Sequence, residues 1–230
     1  MFEVEAAIAD GAVRVALSLD ALQFDARSFQ IASREGAALY LDPALELPPV
    51  EVSFRDYVLA ERAAREGEAY RRALDYWRAR VPALPDPPAL PFAVDPDSVR
   101  RPHFARVADR LDAAAWTRFQ AFAARAGVTA NAALLTVFAE VLAVWSRDSR
   151  FTLNLTLFHP LPVHPKIDEV LGDFTSLTLL EVEVDPARGF RERARAIQAR
   201  LWQDIEHGRV SGVQVMGELA QARGRLVLMP

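Results

Sequence analysis

The 230 residues contain no cysteine. A disulfide scaffold, a thiolate zinc site and a cysteine nucleophile are therefore excluded. Lysine is almost missing too. Of the 27 basic residues only Lys166 is a lysine, it lies in a proline-flanked loop, and no Gly-Lys-Ser/Thr occurs, which excludes a Walker-type phosphate loop. There is no run of about 18 apolar residues and no basic start ahead of an apolar core. The chain accordingly reads as soluble and cytoplasmic, without a membrane partner. An excess of one charge is missing as well: the formal net charge is −4 and the charges are interspersed, whereas nucleic acid calls for a clustered basic patch. What is present is ordinary for a folded protein, with 51% hydrophobic and 25% charged residues. That is enough chain to bury a core without staples, as one large domain or two small ones.

Residues 2–19 alternate around Asp10-Gly11, which predicts a hairpin with Phe2, Val4, Ala6 and Ile8 on one face. A helix is expected from about Ala26 to Leu39, weakened by Gly36. A proline-rich connection leads to one long helix from Phe54 to Arg80, capped by Ser53, whose arginines interleave with glutamates as on a solvated face. Prolines then recur from Val81 to Pro102, which places a lobe boundary there. Residues 103–111 alternate like a strand. Asp112 and Thr129 cap two helices, the first ended by Gly127. The second carries Leu134, Val137, Val141, Leu142 and Trp145 as one apolar stripe, and Trp116 and Trp145 are expected in the core. Strands are expected over 151–158 and 177–184, helices over 190–205 and 211–222, and a strand start from Leu226. The order makes a mixed α/β chain in two lobes, 1–95 and 96–230.

Two clusters carry candidate chemistry. Asp20, Asp25 and Ser28 stand where the hairpin gives way to a helix; two carboxylates there can share orienting and proton-accepting work, and spacing alone equally fits helix capping. Gly172-Asp173-Phe174-Thr175-Ser176 precedes an apolar strand and by itself reads as a turn. His159 and His164, with Asp168 and Glu169 nearby, match no standard metal-ligand spacing, and no Gly-x-Ser-x-Gly elbow supports a serine hydrolase.

Taken together the pieces are more specific. Asp20-Ala-Leu-Gln-Phe-Asp25-Ala-Arg-Ser28 resembles the D-x-x-x-x-D-x-x-S signature of heterocyclisation domains in nonribosomal peptide synthetases. Ser53-Phe-Arg-Asp-Tyr-Val58, Tyr76-Trp77, Thr152 to Phe158, Pro162-Val-His-Pro165, Gly172 to Leu177 and Leu179 to Val182 resemble further blocks of that family, in the right order across nearly the whole chain. The resemblance implies an α/β, chloramphenicol-acetyltransferase-like, two-lobed condensation-domain fold. It also implies a reaction in two stages. A carrier-bound acyl group is transferred to the amine of carrier-bound Cys, Ser or Thr, and the side chain then closes on the new amide with loss of water to give a thiazoline or oxazoline. Asp20, Ala21 and Asp25 occupy the positions of the two histidines and the aspartate of the ordinary HHxxxDG motif, so the imidazole base of peptide-bond condensation is absent.

By the same resemblance the site residues are Asp20, Asp25, Ser28, Asn154, Asp173, Thr175 and Ser176, with Asp25 bracing the lobe through hydrogen bonds and Asn154 and Asp173 lining the substrate tunnel. No cofactor is bound directly; phosphopantetheine arrives on donor and acceptor carrier domains, which with adjacent synthetase domains are the expected partners. His159-Pro160 replaces the family's usual Asn-Arg. Met1 enters within the first lobe, and the later Val-Phe-Thr-Ser and Trp-Leu-Asp-His-Gln blocks are absent, so the sequence reads as a central fragment, truncated at both ends. Such a fragment is expected to leave strand edges and apolar surface exposed and not to complete cyclodehydration alone. Two alternatives stay open: a non-catalytic carrier-docking remnant, and an ordinary condensation domain that has lost its histidines.

Overall fold

In the computed structural model, residues 2–95, 98–225, 227 and 229 are described. They form two compact units, one of residues 1–71 and 156–176, the other of residues 72–155 and 177–230.

The first unit opens with the predicted hairpin. β1 (Phe2–Ala9) and β2 (Ala12–Leu19) pair antiparallel with Phe2 opposite Leu19 and Ala9 opposite Ala12. Asp10 and Gly11 both take positive φ, 52° and 75°, the mirror-image turn whose twist matches that of the strands. The apolar face that the alternation builds is nonetheless exposed: Phe2, Val4 and Ile8 all stay open to solvent. α1 (Ala26–Leu41) starts at Asp25, whose side chain accepts the Ser28 N–H. α2 (Phe54–Ala64) starts at Ser53 with a reciprocal Ser53–Asp56 capping box, the arrangement that satisfies two orphan donors at once. The small core of this unit joins Ile167, Val170 and Phe174 to Val52, Phe54 and Tyr57.

The second unit holds α3 (Glu68–Arg80), α4 (Ala113–Ala126), α5 (Ala130–Trp145), α6 (Phe190–Glu206), α7 (Gly212–Arg223) and most of a two-stranded sheet, β3 (Arg150–Phe158) with β4 (Thr175–Glu183). Val184 N–H donates to the Ser149 carbonyl, which joins the start of β3 to the end of β4 and makes the pair antiparallel. One face of this sheet, Phe151, Leu153, Leu180 and Val182, packs on Ala139 of α5 and Ile197 of α6. Where α4, α5 and α6 meet, the buried residues are Ala123, Ala126, Ala132, Ala133 and Ala194, small side chains that let helices approach closely.

Several expectations are corrected. The long helix from Phe54 to Arg80 is two helices, broken by a turn over 65–67 in which the Gly67 N–H bonds the Ala64 carbonyl; glycine is the poorest helix former here after proline. The start of the proline-rich stretch packs onto β3: Val81 and Leu84 are buried, and the Asp86 and Pro85 carbonyls accept the Thr152 N–H and hydroxyl. Residues 103–111 form no strand, and Phe104 and Val107 are almost fully exposed; alternation makes a strand only where a partner ladder is available. On α5 the predicted stripe is largely solvent-facing, while Ala132, Ala133, Thr136 and Ala139 face the core. Trp145 is likewise exposed, and the buried tryptophan is Trp77. The strand start expected from Leu226 lies partly outside the described residues. Among the described residues no single helix is long and apolar enough to cross a membrane.

Candidate functional site

The first unit brings together the two clusters that the sequence left separate. Asp25 does more than cap α1. Its Oδ1 accepts the Ser28 N–H at 2.7 Å, and its Oδ2 accepts the Phe174 N–H at 3.1 Å. Ser28, fully buried, is joined to Gly172 twice: its hydroxyl donates to the Gly172 carbonyl at 2.8 Å and accepts the Gly172 N–H at 2.9 Å. Residues nearly 150 positions apart in the chain are thus tied by three bonds, one to the Asp25 carboxylate and two to the Ser28 hydroxyl. The carboxylate bond is of the charge-assisted kind, which exceeds neutral ones in strength.

Gly172 is required for a second reason. A Cβ built there would lie 2.2 Å from the Phe54 ring, so only glycine lets the loop approach α2 this closely. Phe174 is held edge-on by Phe54 at 5.1 Å and by Tyr57 at 4.7 Å between ring centroids. Burial pushes the Tyr57 hydroxyl above its ordinary pKa, so it stays protonated, and it accepts the Leu161 N–H. Between these clamped neighbours Asp173 is half-buried and its Oδ1 accepts the Thr175 N–H at 3.0 Å. Thr175 is exposed and Ser176 half-buried, and both open β4 instead of belonging to the turn.

A cavity of about 60 Å³ opens beside the clamp, with Asp25, Arg27 and Asp168 on its polar side and Phe158, Ile167 and Phe174 on its apolar side. The Arg27 Nε donates to the Asp168 carbonyl. Asp20 is exposed and accepts the Leu22 N–H at 3.0 Å, closing a turn between β2 and α1. Asn154 belongs to the second unit, on β3, where its Oδ1 is buried with no hydrogen-bond partner among the described residues. His159 is exposed, and His164 spends its Nδ1 on the Lys166 N–H.

Sequence reasoning missed a polar cluster in the second unit. Arg80 is a partly buried exception to the solvated face expected for the arginines of the helical stretch from Phe54 to Arg80. It bonds Asp204, which is fully buried, and Glu181, and it lies over the Trp77 ring. The Tyr76 hydroxyl donates to Asp204 at 2.6 Å, and Tyr76 stacks on His207 at 3.9 Å. Arg150 completes the set through Glu181. Burial pushes the Asp204 carboxyl above its ordinary pKa against the Tyr76 bond and the Arg80 charge. At Glu181 burial is outweighed by the bonds from Arg150 and Arg80, which hold the carboxyl below its ordinary value. The one available signal was the Tyr76-Trp77-x-x-Arg80 spacing, which sets the aromatic pair and the guanidinium on one turn of α3.

Asp25 and Ser28 of the signature are therefore bonded to the Gly-Asp-Phe-Thr-Ser block, and comparison with known proteins places the chain in a family. The family model described as "Condensation domain" matches residues 9–227. The chain belongs to the condensation-domain family. This condensation domain is 42% identical over 208 residues to pyochelin synthetase PchF of Pseudomonas aeruginosa, covering 90% of the chain and 11% of the relative. Phenyloxazoline synthase MbtB of Mycobacterium tuberculosis is 38% identical over 219 residues, 94% of the chain and 15% of the relative. Among solved structures, the EpoB cyclization-docking bidomain from Sorangium cellulosum superposes with a TM-score of 0.91 at 38% identity, over 97% of this chain and 45% of that one. The resemblance to heterocyclisation domains of nonribosomal peptide synthetases and the condensation-domain fold thus both hold. The X-domain from teicoplanin biosynthesis, at 19% identity and a TM-score of 0.79, shares the fold. The condensation domain spans about a tenth of the length of PchF, 15% of MbtB and under half of the EpoB chain.

Proposed function

We propose that this chain is part of a heterocyclisation domain, acting in acyl transfer to a carrier-bound Cys, Ser or Thr and in closure of the product to a thiazoline or oxazoline. The observation that carries the reading is the bonding of Asp25 and Ser28 to Gly172 and Phe174. An HHxxxDG site offers an imidazole near the reacting amine. Here Asp20 and Ala21 stand in its place, and the neighbouring carboxylate has both oxygens committed to backbone N–H groups. Those bonds make Asp25 and Ser28 positioning residues and leave Asp173, Thr175 and Ser176 as the polar groups presented by the clamped segment, with Asn154 and Asp20 as further site residues.

In the first stage the acceptor amine attacks the donor thioester carbon, the C–S bond breaks, and the proton lost by the amine ends on the departing thiol. In the second the acceptor side chain adds to the new amide carbonyl, its proton passing to that oxygen, and the resulting hydroxyl leaves as water with the proton of the amide nitrogen as the C=N bond of the ring forms. Holding amine against thioester is the larger part of the first stage, while proton handling matters more in the second. The domain uses no cofactor of its own in this reading; phosphopantetheine comes covalently on donor and acceptor carriers, and adjacent synthetase domains are the other partners. The lobe division at 95/96 is kept as the division of the parent domain, and the cytoplasm is the compartment this chemistry implies. The PchF, MbtB and EpoB relatives support the reading.

The test is intact-mass measurement of a cysteine-loaded acceptor carrier after mixing with this chain and a loaded donor carrier. Acyl gain, with or without loss of water, supports catalysis and tells which stage the chain performs. No gain, with carrier binding retained, points to a docking module instead.

A further inference from the structure

We propose that Phe54 and Tyr57 of α2 are positioning residues for the Gly172–Ser176 segment, holding Asp173 in place from the side opposite Asp25 and Ser28. The proposal rests on the reading that this segment works on the carrier-bound substrates.

The geometry is a two-sided grip. From α1, Ser28 binds both backbone groups of Gly172 and Asp25 binds the N–H of Phe174. From α2, the Phe54 ring fills the space where any side chain on residue 172 would sit. Phe54 and Tyr57 together hold the Phe174 ring in two edge contacts, a geometry favoured by the ring quadrupoles. Asp173, between these residues, has both peptide neighbours fixed while its own side chain stays half-open.

The grip is itself anchored. The Ser53–Asp56 capping box, with bonds of 3.0 and 3.2 Å, sets the first turn of α2. Phe54 and Tyr57, three apart, then lie on one face of the helix. The Tyr57 hydroxyl also takes the Leu161 N–H, which ties the approach to the segment to the same helix. The cap and the helical hydrogen bonds of α2 do not involve either ring.

The test has two readouts on the full chain. The first is hydrogen exchange of the 173–176 amides in wild type, Phe54→Leu, Phe54→Ala and Gly172→Ala, and in the double variant. Each single variant is expected to raise exchange of these amides about tenfold or more, the signature of a local opening and not of global unfolding. The double variant pairs Gly172→Ala with Phe54→Ala and is expected to return toward wild type, because the Phe54 ring atoms that lie 2.2–2.9 Å from a Cβ on residue 172 are then gone and the new methyl group has room, and coupling of this kind is what a double-mutant cycle isolates. Exchange that rises equally across α1 and α2, or singles that simply add, would overturn the positioning role. If Gly172→Ala does not fold, Phe54→Leu and Tyr57→Phe alone decide by whether their effect is confined to 173–176. The second readout is acyl gain on the acceptor carrier, expected to slow in Phe54→Leu with the carrier concentration for half-maximal rate unchanged. An inactive wild type would overturn the catalytic reading and leave the exchange result to judge the grip.

Discussion

Asp25 and Ser28 look like ordinary capping residues in sequence, and Asp25 does cap α1. What separates them from other caps is that each has a second partner across the fold. Ser28→Ala removes both bonds to Gly172 and leaves a buried N–H and a buried carbonyl unpaired, at a cost of about 1–3 kcal/mol for each such group. Urea titration should show that loss as a lower midpoint, with acyl gain on the carrier falling in parallel. Asp25→Asn is a subtler probe. An amide has one acceptor oxygen, so it can serve the Ser28 N–H or the Phe174 N–H but turns an NH₂ toward the other. The variant should fold and lose product formation more than stability. Product formation at the wild-type rate would remove Asp25 from the site.

The elements show where sequence was enough and where it was not. The hairpin, the caps at Asp25, Ser53, Asp112 and Thr129 and the stop at Gly127 were legible because each is set by a few neighbouring residues. The facing of α5 was not: its apolar stripe and its alanine face are both compatible with burial, and the choice between them is made by α4, α6 and the sheet. The 103–111 alternation failed for the same reason, since a strand is defined by a partner. Arg80 and Asp204 pair across more than 120 residues, beyond the reach of any local pattern. Two glycines test the local logic with opposite signs. Gly36 lies inside α1 with nothing near a built Cβ, so Gly36→Ala should stabilise by about 0.5–1 kcal/mol. Gly127 closes α4 at φ 73°, and a Cβ there would meet the Arg195 guanidinium at 3.1 Å. Gly127→Ala should destabilise by about 1–2 kcal/mol. Thermal melts of the two variants should move in opposite directions; a shared direction would mean that helix propensity does not govern these ends.

At the scale of the whole molecule, stability against pH follows from the Arg80 cluster. Facing it are Tyr76 and Arg80 from α3, Arg150 from β3, Glu181 from β4, and Arg200, Asp204 and His207 from α6 and its end. The two carboxylates have opposite signs. The Asp204 carboxyl is raised in the folded state, chiefly by burial, so the stability linked to it is fully present below its unfolded value of 3.8 and is lost as pH rises through its folded value. Glu181 is lowered, with burial outweighed by Arg150 and Arg80. Its contribution is present above the unfolded value of 4.5 and is lost as pH falls through the folded one. On acidification, proton uptake by Asp204 relieves a buried charge while Arg80 still has Glu181 as a partner, and proton uptake by Glu181 removes a partner of Arg80. As the pH is lowered, Asp204 therefore contributes a rise in melting temperature and Glu181 a drop. Asp204→Asn, which keeps an acceptor for Tyr76 and Arg80, should remove the rise and keep the drop, and Glu181→Gln should do the reverse. A wild-type curve with only the acid-side drop, unchanged in Asp204→Asn, would show that Arg80 holds Asp204 ionised and that the pair, and not the buried carboxyl, governs this cluster.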